Sequence, residues 1–383
     1  MLPRSMLGSA RLAQDGDAPS AALLDRIGVS RLARVGALDR SDLPVACAIR
    51  PRGHVLQVCN GKGLTDAAAL WTAAMEAAEL WASERTPDDV RWGAPPAGER
   101  AWGPELLPAS ARLRPRALWR RARSRPWRLA HRLDDGRPLW VPAAAVTCSP
   151  PGSSGVPDLG IAWTSNGLGA HPRSADLALR HALLELVERD LLHRALPRGW
   201  TEAAVAAHAV PGRALEDTPT LAALVERLGT RGLDARLFDL DPPAGPGVVQ
   251  LPLAGALVLD AQRDVIPLTA GYAAGVTREE ARLGALLEAV QSRVTDTHGA
   301  REDVAPMDPA SARRLRAACV APTVRRATRR ARRLEDPGGA GPVVRALHRA
   351  GHREIAVVTL ASLAEGVAVV RAFVPGLRRS ELL

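Results

Sequence analysis

Three windows of this chain repeat one acidic octet at nearly equal intervals, and no other feature constrains the fold as tightly. They read Thr72-Ala73-Ala74-Met75-Glu76-Ala77-Ala78-Glu79, His181-Ala182-Leu183-Leu184-Glu185-Leu186-Val187-Glu188 and Gly284-Ala285-Leu286-Leu287-Glu288-Ala289-Val290-Gln291. Glu76, Glu185 and Glu288 lie 109 and 103 residues apart. Each octet sets a polar pair at i and i+3, which puts both side chains on one face of a helix. The apolar spacing around them predicts helices over Ala67 to Ser83, Leu177 to Leu196 and Thr277 to Val294. A glutamate pair on a single Ala-rich helix is ordinarily a solvated face. Three copies in order argue against that reading. An internal duplication held only by packing explains the repeated apolar letters but not the repeated glutamate.

The windows are otherwise apolar, so these helices are expected to be largely buried. A buried carboxylate without a partner costs several kcal/mol or takes up a proton. Five acids and one amide therefore need cations or donors nearby. Arg189 and Arg293 offer some positive charge. Hard oxygen ligands without His or Cys suit a divalent metal, and Mg²⁺ is the one expected, since it keeps waters and takes phosphate oxygens as further ligands. That combination points to a nucleoside triphosphate site.

No phosphate loop serves it. The chain has 383 residues but only one lysine, Lys62, and Gly63 follows it where a Walker-type loop needs Ser or Thr. A lysine Schiff base can form nowhere else. Cys47, Cys59, Cys148 and Cys319 show no C-x-x-C spacing, so neither a disulfide framework nor a zinc site is expected. The longest smooth apolar stretch, Leu251 to Leu259, is too short to span a bilayer. The expectation is a cytoplasmic protein without a membrane partner.

Leu251 to Leu259, Glu354 to Leu360 and Val367 to Val374 have the length and composition of strands. Helices and strands in this order imply an α/β or α+β fold. Residues 1–20 are polar and poorly periodic, and a mobile segment is expected there, followed by one catalytic domain over 21–383. Two segments, Arg112 to Arg132 and Arg313 to Arg333, hold nine arginines each, the first interleaved with Trp119 and Trp127. With a net charge of +10 they allow a nucleic-acid binder or a docking surface for an acidic peptide. A solvated helix face is the preferred reading of both.

In these residues the chain resembles the YcaO family. Asn60-Gly61-Lys62-Gly63-Leu64-Thr65 with Thr72 through Glu79 is similar to the family's GKG…S-x-x-x-E-x-x-E-R element. Thr164-Ser165-Asn166-Gly167-Leu168 followed by His181 through Asp190 resembles SNG-L-A-x-G…H-A-L-x-E-x-x-E-R-D, the most specific of the three. Ala285 through Arg293 with Gly299-Ala300-Arg301-Glu302-Asp303 is similar to A-L-x-E-A-x-Q-S-R…G-x-R-D-D, and the ending Val374-Pro375-Gly376-Leu377 is familiar too. The resemblance covers the chain from about Asp25 onward. It implies a single domain with acidic helices around an ATP site that lacks a phosphate loop, and ATP-dependent phosphorylation of a peptide amide oxygen. A Cys, Ser or Thr side chain as nucleophile then gives an azoline, sulfide a thioamide, and an amine an amidine.

On the same resemblance Glu76, Glu79, Glu185 and Glu188 would coordinate Mg²⁺. Arg189 and Arg293 would hold phosphate oxygens, and Gln291, Ser165 and Asn166 would contact nucleotide or phosphate. Lys62 faces either this site or solvent. Arg301, Arg11 and Ser20 are weaker candidates. The chain also departs from the pattern. Leu80 stands where the first motif expects Arg. Leu177 stands where the second expects Glu, with Asp176 alongside. The stretch Gly169 to Arg173 is one residue longer than usual. The final residues Arg378 to Leu383 contain no Pro-x-Pro-x-Pro run, which tilts the expectation towards members acting with a TfuA-type partner or alone. The front of the chain is too short for a winged-helix leader-binding module. The ribosomal precursor peptide is thus expected to be recognised directly or brought by a partner, and a homodimer is allowed for. The rival readings are a degenerate relative that binds a partner without catalysis, and an arginine-rich nucleic-acid binder.

Overall fold

The computed structural model describes residues 18–85, 89–103, 106–107, 115–150, 155–215, 218–260, 266–299, 309–320 and 338–378. Most of the segment expected to be mobile, Arg11, Arg301 and much of the second arginine-rich stretch lie outside them.

The chain builds one motif three times: an antiparallel sheet with a long helix laid across it. In the first unit the strands β1 (Arg31–Arg34), β2 (Val45–Ile49) and β3 (Val58–Lys62) pair in that order, and α1 (Ala21–Arg26) precedes them. Helix α2 (Asp66–Glu84) packs on β2 and β3. The second unit centres on a seven-stranded sheet ordered β5-β7-β6-β12-β13-β8, with β4 beside β6. Its strands are β4 (Arg91–Trp92), β5 (Arg100–Ala101), β6 (Pro126–Arg132), β7 (Pro138–Pro142), β8 (Leu168–His171), β12 (Ala356–Ser362) and β13 (Ala368–Phe373). Helix α5 (Ala175–Ala195) lies on β8 and β13, and α10 (Gly341–Arg349) packs against α5. The third unit pairs β9 (Leu233–Asp239), β10 (Leu253–Asp260) and β11 (Leu268–Ala274) in the order β11-β10-β9. Helix α8 (Arg278–His298) covers β10 and β11, and α7 (Pro219–Thr230) packs on β9. Shorter helices α3 (Pro115–Arg121), α4 (Ala143–Val146), α6 (Glu202–His208) and α9 (Pro309–Val320) fill connections. Every strand pairing but β5 with β7 is antiparallel, so the expected mixed architecture is of the α+β kind.

Each long helix starts on a Ser or Thr whose hydroxyl accepts a main-chain N–H three residues on: Thr65 from Ala68, Ser174 from Leu177 and Thr277 from Glu280. Each also rests on a strand glycine. A Cβ at Gly61 would overlap the backbone of Ala69 and Ala73, one at Gly169 the backbone of Ala178, and one at Gly271 the backbone of Ala285 and Ala289. Strand and helix approach closely at these points because neither carries bulk there. The alanines of the octets are therefore a packing requirement as much as a helix preference.

The three predicted strands appear as β10, β12 and β13, and every residue of β10 is buried. Trp119 and Trp127 are buried and stack edge to face with ring centroids 5.0 Å apart, in a core shared with Trp102 and Phe373. They are thus unavailable to stack on nucleic-acid bases. Among the described residues no helix is long and apolar enough to cross a membrane.

Gly271→Ala forces Cβ into the backbone of α8 and is expected to lower stability by about 3 kcal/mol. Gly229→Ala in α7, where nothing lies within 4 Å, should be neutral or stabilise by up to about 1 kcal/mol. Urea denaturation of both variants checks the contrast.

Candidate functional site

The first glutamate of each octet lies eleven residues after its helix cap, at 76, 185 and 288 after 65, 174 and 277. Equal offsets place the three carboxylates at equal heights, about three turns up each helix. Each is then fixed by a main-chain N–H from the strand layer of its own unit. Glu76 accepts from Asn60 at 2.7 Å, Glu185 from Gly167 at 2.9 Å, and Glu288 from Tyr272 at 3.3 Å. Gly167 has a φ of +84°, and its carbonyl accepts the N–H of Ala372, so the turn that holds Glu185 is itself tied to β13.

The helices also reach across units. Helix α2 packs on β8, α5 on β11 and α8 on β3, which closes a cycle. Glu79 crosses the first boundary and accepts the N–H of Ala170 in β8 at 2.7 Å. Lys62, the last residue of β3, crosses another and pairs with Glu288 at 2.7 Å. Arg189 pairs with Glu185 at 3.3 Å and Glu188 at 3.2 Å. The structure thus brings Glu76, Glu79, Glu185, Glu188, Lys62 and Arg189 together, with Glu288 added.

Charge in this cluster is unevenly compensated. Burial raises the Glu79 carboxyl well above the usual carboxylate range, and the charges of Glu185 and Glu76 add to the effect against the Ala170 N–H. Burial pushes Glu188 up to about 8, with Arg189 opposing and Glu288 and Glu185 adding. Glu288 moves the other way: burial would raise it, but Lys62 and Arg189 outweigh that and hold it low. Burial thus favours protons on Glu79 and Glu188, and a divalent cation with phosphate oxygens is what would replace them. Among the described residues no three acidic, His or Cys side chains are gathered tightly enough to hold a metal by themselves. The four glutamates expected at Mg²⁺ therefore do not form a closed cage, and Mg²⁺ typically takes only one or two carboxylates, filling its sphere with water and phosphate. The donor set fits that mode.

The remaining sequence candidates divide. Asn166 lines a small cavity beside Arg189, part of it open to solvent. Ser165 is exposed and its carbonyl closes the turn to Leu168. Gln291 is half-buried one turn beyond Glu288. Arg293 must be corrected. Its Nε donates to Asp39 at 2.8 Å, its Nη1 to the Ile266 carbonyl at 2.7 Å and its Nη2 to Asp260 at 2.9 Å, all inside the protein. The cause is helical phase: Arg293 follows Gln291 by two residues, about 200° around the helix, whereas Arg189 follows Glu185 by four and shares its face. Arg293 clamps α8 to the third sheet and is not available to phosphate. Asp176 does not stand in for a glutamate at the site either, because it accepts the N–H of Ala340 at the start of α10. Ser20 caps α1. Sequence reasoning left two residues unassigned. Glu288 was signalled by the third octet. Arg371 had no signal, being one cation in an apolar strand run.

A family model described as YcaO cyclodehydratase, ATP- and Mg²⁺-binding, matches residues 60–378. The chain belongs to the YcaO family. An uncharacterized protein of Methanothermobacter thermautotrophicus is 32% identical over 79% of this chain and 74% of its own length. A Rhizobium leguminosarum bv. trifolii protein described by its position in the tfuA 3′ region is 30% identical over 73% of this chain, and the match spans 65% of that relative. YcaO from Methanopyrus kandleri, solved with AMPPCP and Mg²⁺, superposes with a TM-score of 0.66 at 25% identity, covering 93% of this chain and 88% of that one. A heterocyclase solved with substrate and cofactor shares the fold at a TM-score of 0.62 and 17% identity, and the match covers 96% of this chain but 54% of the heterocyclase.

Two outcomes follow for this YcaO chain. Without metal, the folded state holds protons on Glu79 and Glu188 that the unfolded chain releases at ordinary carboxylate pH. Stability should therefore fall as pH rises from about 5 to about 8, and Glu188→Gln should flatten that slope in urea titrations. Arg293→Met takes the guanidinium from buried Asp39 and leaves Asp260 with Arg40, and should cost about 3 kcal/mol in the same measurement.

Proposed function

We propose that this chain uses ATP and Mg²⁺ to activate a backbone amide of a ribosomally made peptide by O-phosphorylation, in the cytoplasm. The observation that supports this most is the convergence of five glutamates from three helices, each held by a main-chain N–H or paired with Lys62 or Arg189. Family membership and the likeness to a YcaO protein holding AMPPCP and Mg²⁺ point the same way. Glu76, Glu79, Glu185, Glu188 and Glu288 are the available oxygen donors for Mg²⁺. When bound, the metal supplies charge neutralisation at the phosphates. Lys62, Arg189, Asn166, Ser165 and Gln291 border the space where a triphosphate would lie.

The chemistry asked of these residues is positioning and electrostatics. An amide oxygen is a poor leaving group. Forming an O–P bond to it, as the bond from the γ-phosphorus to the ADP oxygen breaks, makes it a good one. A nucleophile adds to the amide carbon, and phosphate departs with the former amide oxygen. A sulfide nucleophile and a thioamide product are the favoured assignment, because one of the relatives is placed by its name next to tfuA. A TfuA-like protein is then the partner that this reading calls for. Ring closure to an azoline is the second reading, supported by the cyclodehydratase description of the family.

Calorimetric titration with Mg²⁺ and AMPPCP tests the site. Glu185→Ala and Glu188→Ala should each weaken nucleotide binding by roughly tenfold or more. Unchanged affinity in both variants would overturn the assignment. With a cognate peptide, loss of water marks an azoline, and exchange of oxygen for sulfur marks a thioamide.

A further inference from the structure

The cavity beside Asn166 has an unusual floor. Its walls are mostly apolar, formed by Leu107, Leu186, Phe373, Val374 and Leu377 among others, and no carboxylate lines it among the described residues. Arg189, Arg371 and Arg378 also line it. Arg371, in the middle of β13, is 3% exposed, and its Nε and Nη1 have no hydrogen-bond acceptor among the described residues. The Arg189 Nε is likewise buried without an acceptor. The Arg371 guanidinium lies over the rings of Trp163 at 5.5 Å and Phe373 at 5.3 Å, which offsets part of its desolvation but accepts none of its in-plane donors. Burial lowers its pKa to about 10, with Glu185 and Cys148 opposing, so it is still a cation at neutral pH. Arg371 thus lines the cavity with two donors that have no acceptor among the described residues, a costly arrangement for a buried guanidinium unless an oxyanion completes it.

We propose that Arg371, with Arg189 and Asn166, binds an oxyanion carried on an apolar carbon body in this cavity. On the functional reading above, which this inference rests on, that group is the reacting peptide carbonyl. Its oxygen gains negative charge as the nucleophile adds, and the neighbouring apolar side chain occupies the wall. The planar fork of the guanidinium suits such an oxygen or a tetrahedral phosphoryl group. Placing the oxygen here sets it beside the carboxylate cluster proposed to hold Mg²⁺ and the triphosphate. The apolar wall would make the enzyme prefer an apolar residue on the acyl side of the modified bond.

The same chemistry has two sources, free phosphate and an oxyanion attached to carbon, and two probes separate them. Binding of inorganic phosphate and of n-butylphosphonate to the full chain, without metal or nucleotide, is measured by calorimetry. The phosphonate should bind at least about tenfold more tightly than phosphate, because its butyl group lies on the apolar wall. Arg371→Met should weaken the phosphonate by roughly tenfold or more while Mg²⁺–AMPPCP affinity stays within about twofold of wild type. Equal affinity for the two probes, or phosphonate binding unaltered in Arg371→Met, overturns the inference. Should Arg371→Met fail to fold, Arg371→Lys keeps the charge but not the fork, and phosphonate binding at wild-type strength in it overturns the inference equally. Loss of nucleotide binding in the wild-type chain, with phosphonate binding intact, would instead sink the ATP reading and leave the oxyanion site standing.

Discussion

Carboxylates held by main-chain N–H groups are the interaction on which the rest of this structure depends. Glu76, Glu79, Glu185 and Glu288 each accept a hydrogen bond from the strand layer at the site. Such bonds hold a carboxyl group in a fixed place without an ion partner. Lys62 pairs with Glu288, and Arg189 with Glu185 and Glu188, so positive charge from β3 and α5 lies inside the cluster. The strand glycines belong to the same design, because a glutamate on a helix reaches the neighbouring strand's N–H only where helix and strand lie close.

Much of this was legible. The octets located three helices and their shared face, and the cap-to-glutamate offset explains why the letters align. What the spacing did not reveal was which unit each second-position residue faces. Glu79 contacts β8, more than ninety residues away in sequence, and no local pattern encodes that. Lys62 lay open between the site and solvent until β3 was seen to end beside α8. Arg293 misled because motif letters were read in order while the helix counts in angles, and one extra residue turns a side chain from the site into the sheet. Arg371 was hidden for a different reason. Every residue of β13 is buried, so alternation, the usual guide to which way a strand residue points, has nothing to distinguish.

The arginine-rich first segment shows how composition alone misdirects. Its two tryptophans are core residues, Arg128 is buried, and Arg125 donates to the carbonyl of Trp119. Arg132 pairs with Asp134 and Asp135 on its own hairpin. These side chains hold the second sheet together, a use of arginine that needs no anionic polymer.

The pairing of β8 with β13 brings together residues 168–171 and 368–373. During synthesis α5 and the turn that grips Glu185 must wait for some two hundred further residues to emerge before the strand that braces them exists. The ring of helices closes only when α8 meets β3 as well. The carboxylate cluster is therefore complete only once residues from all three units have emerged and paired, so its assembly belongs to the late, long-range steps of folding.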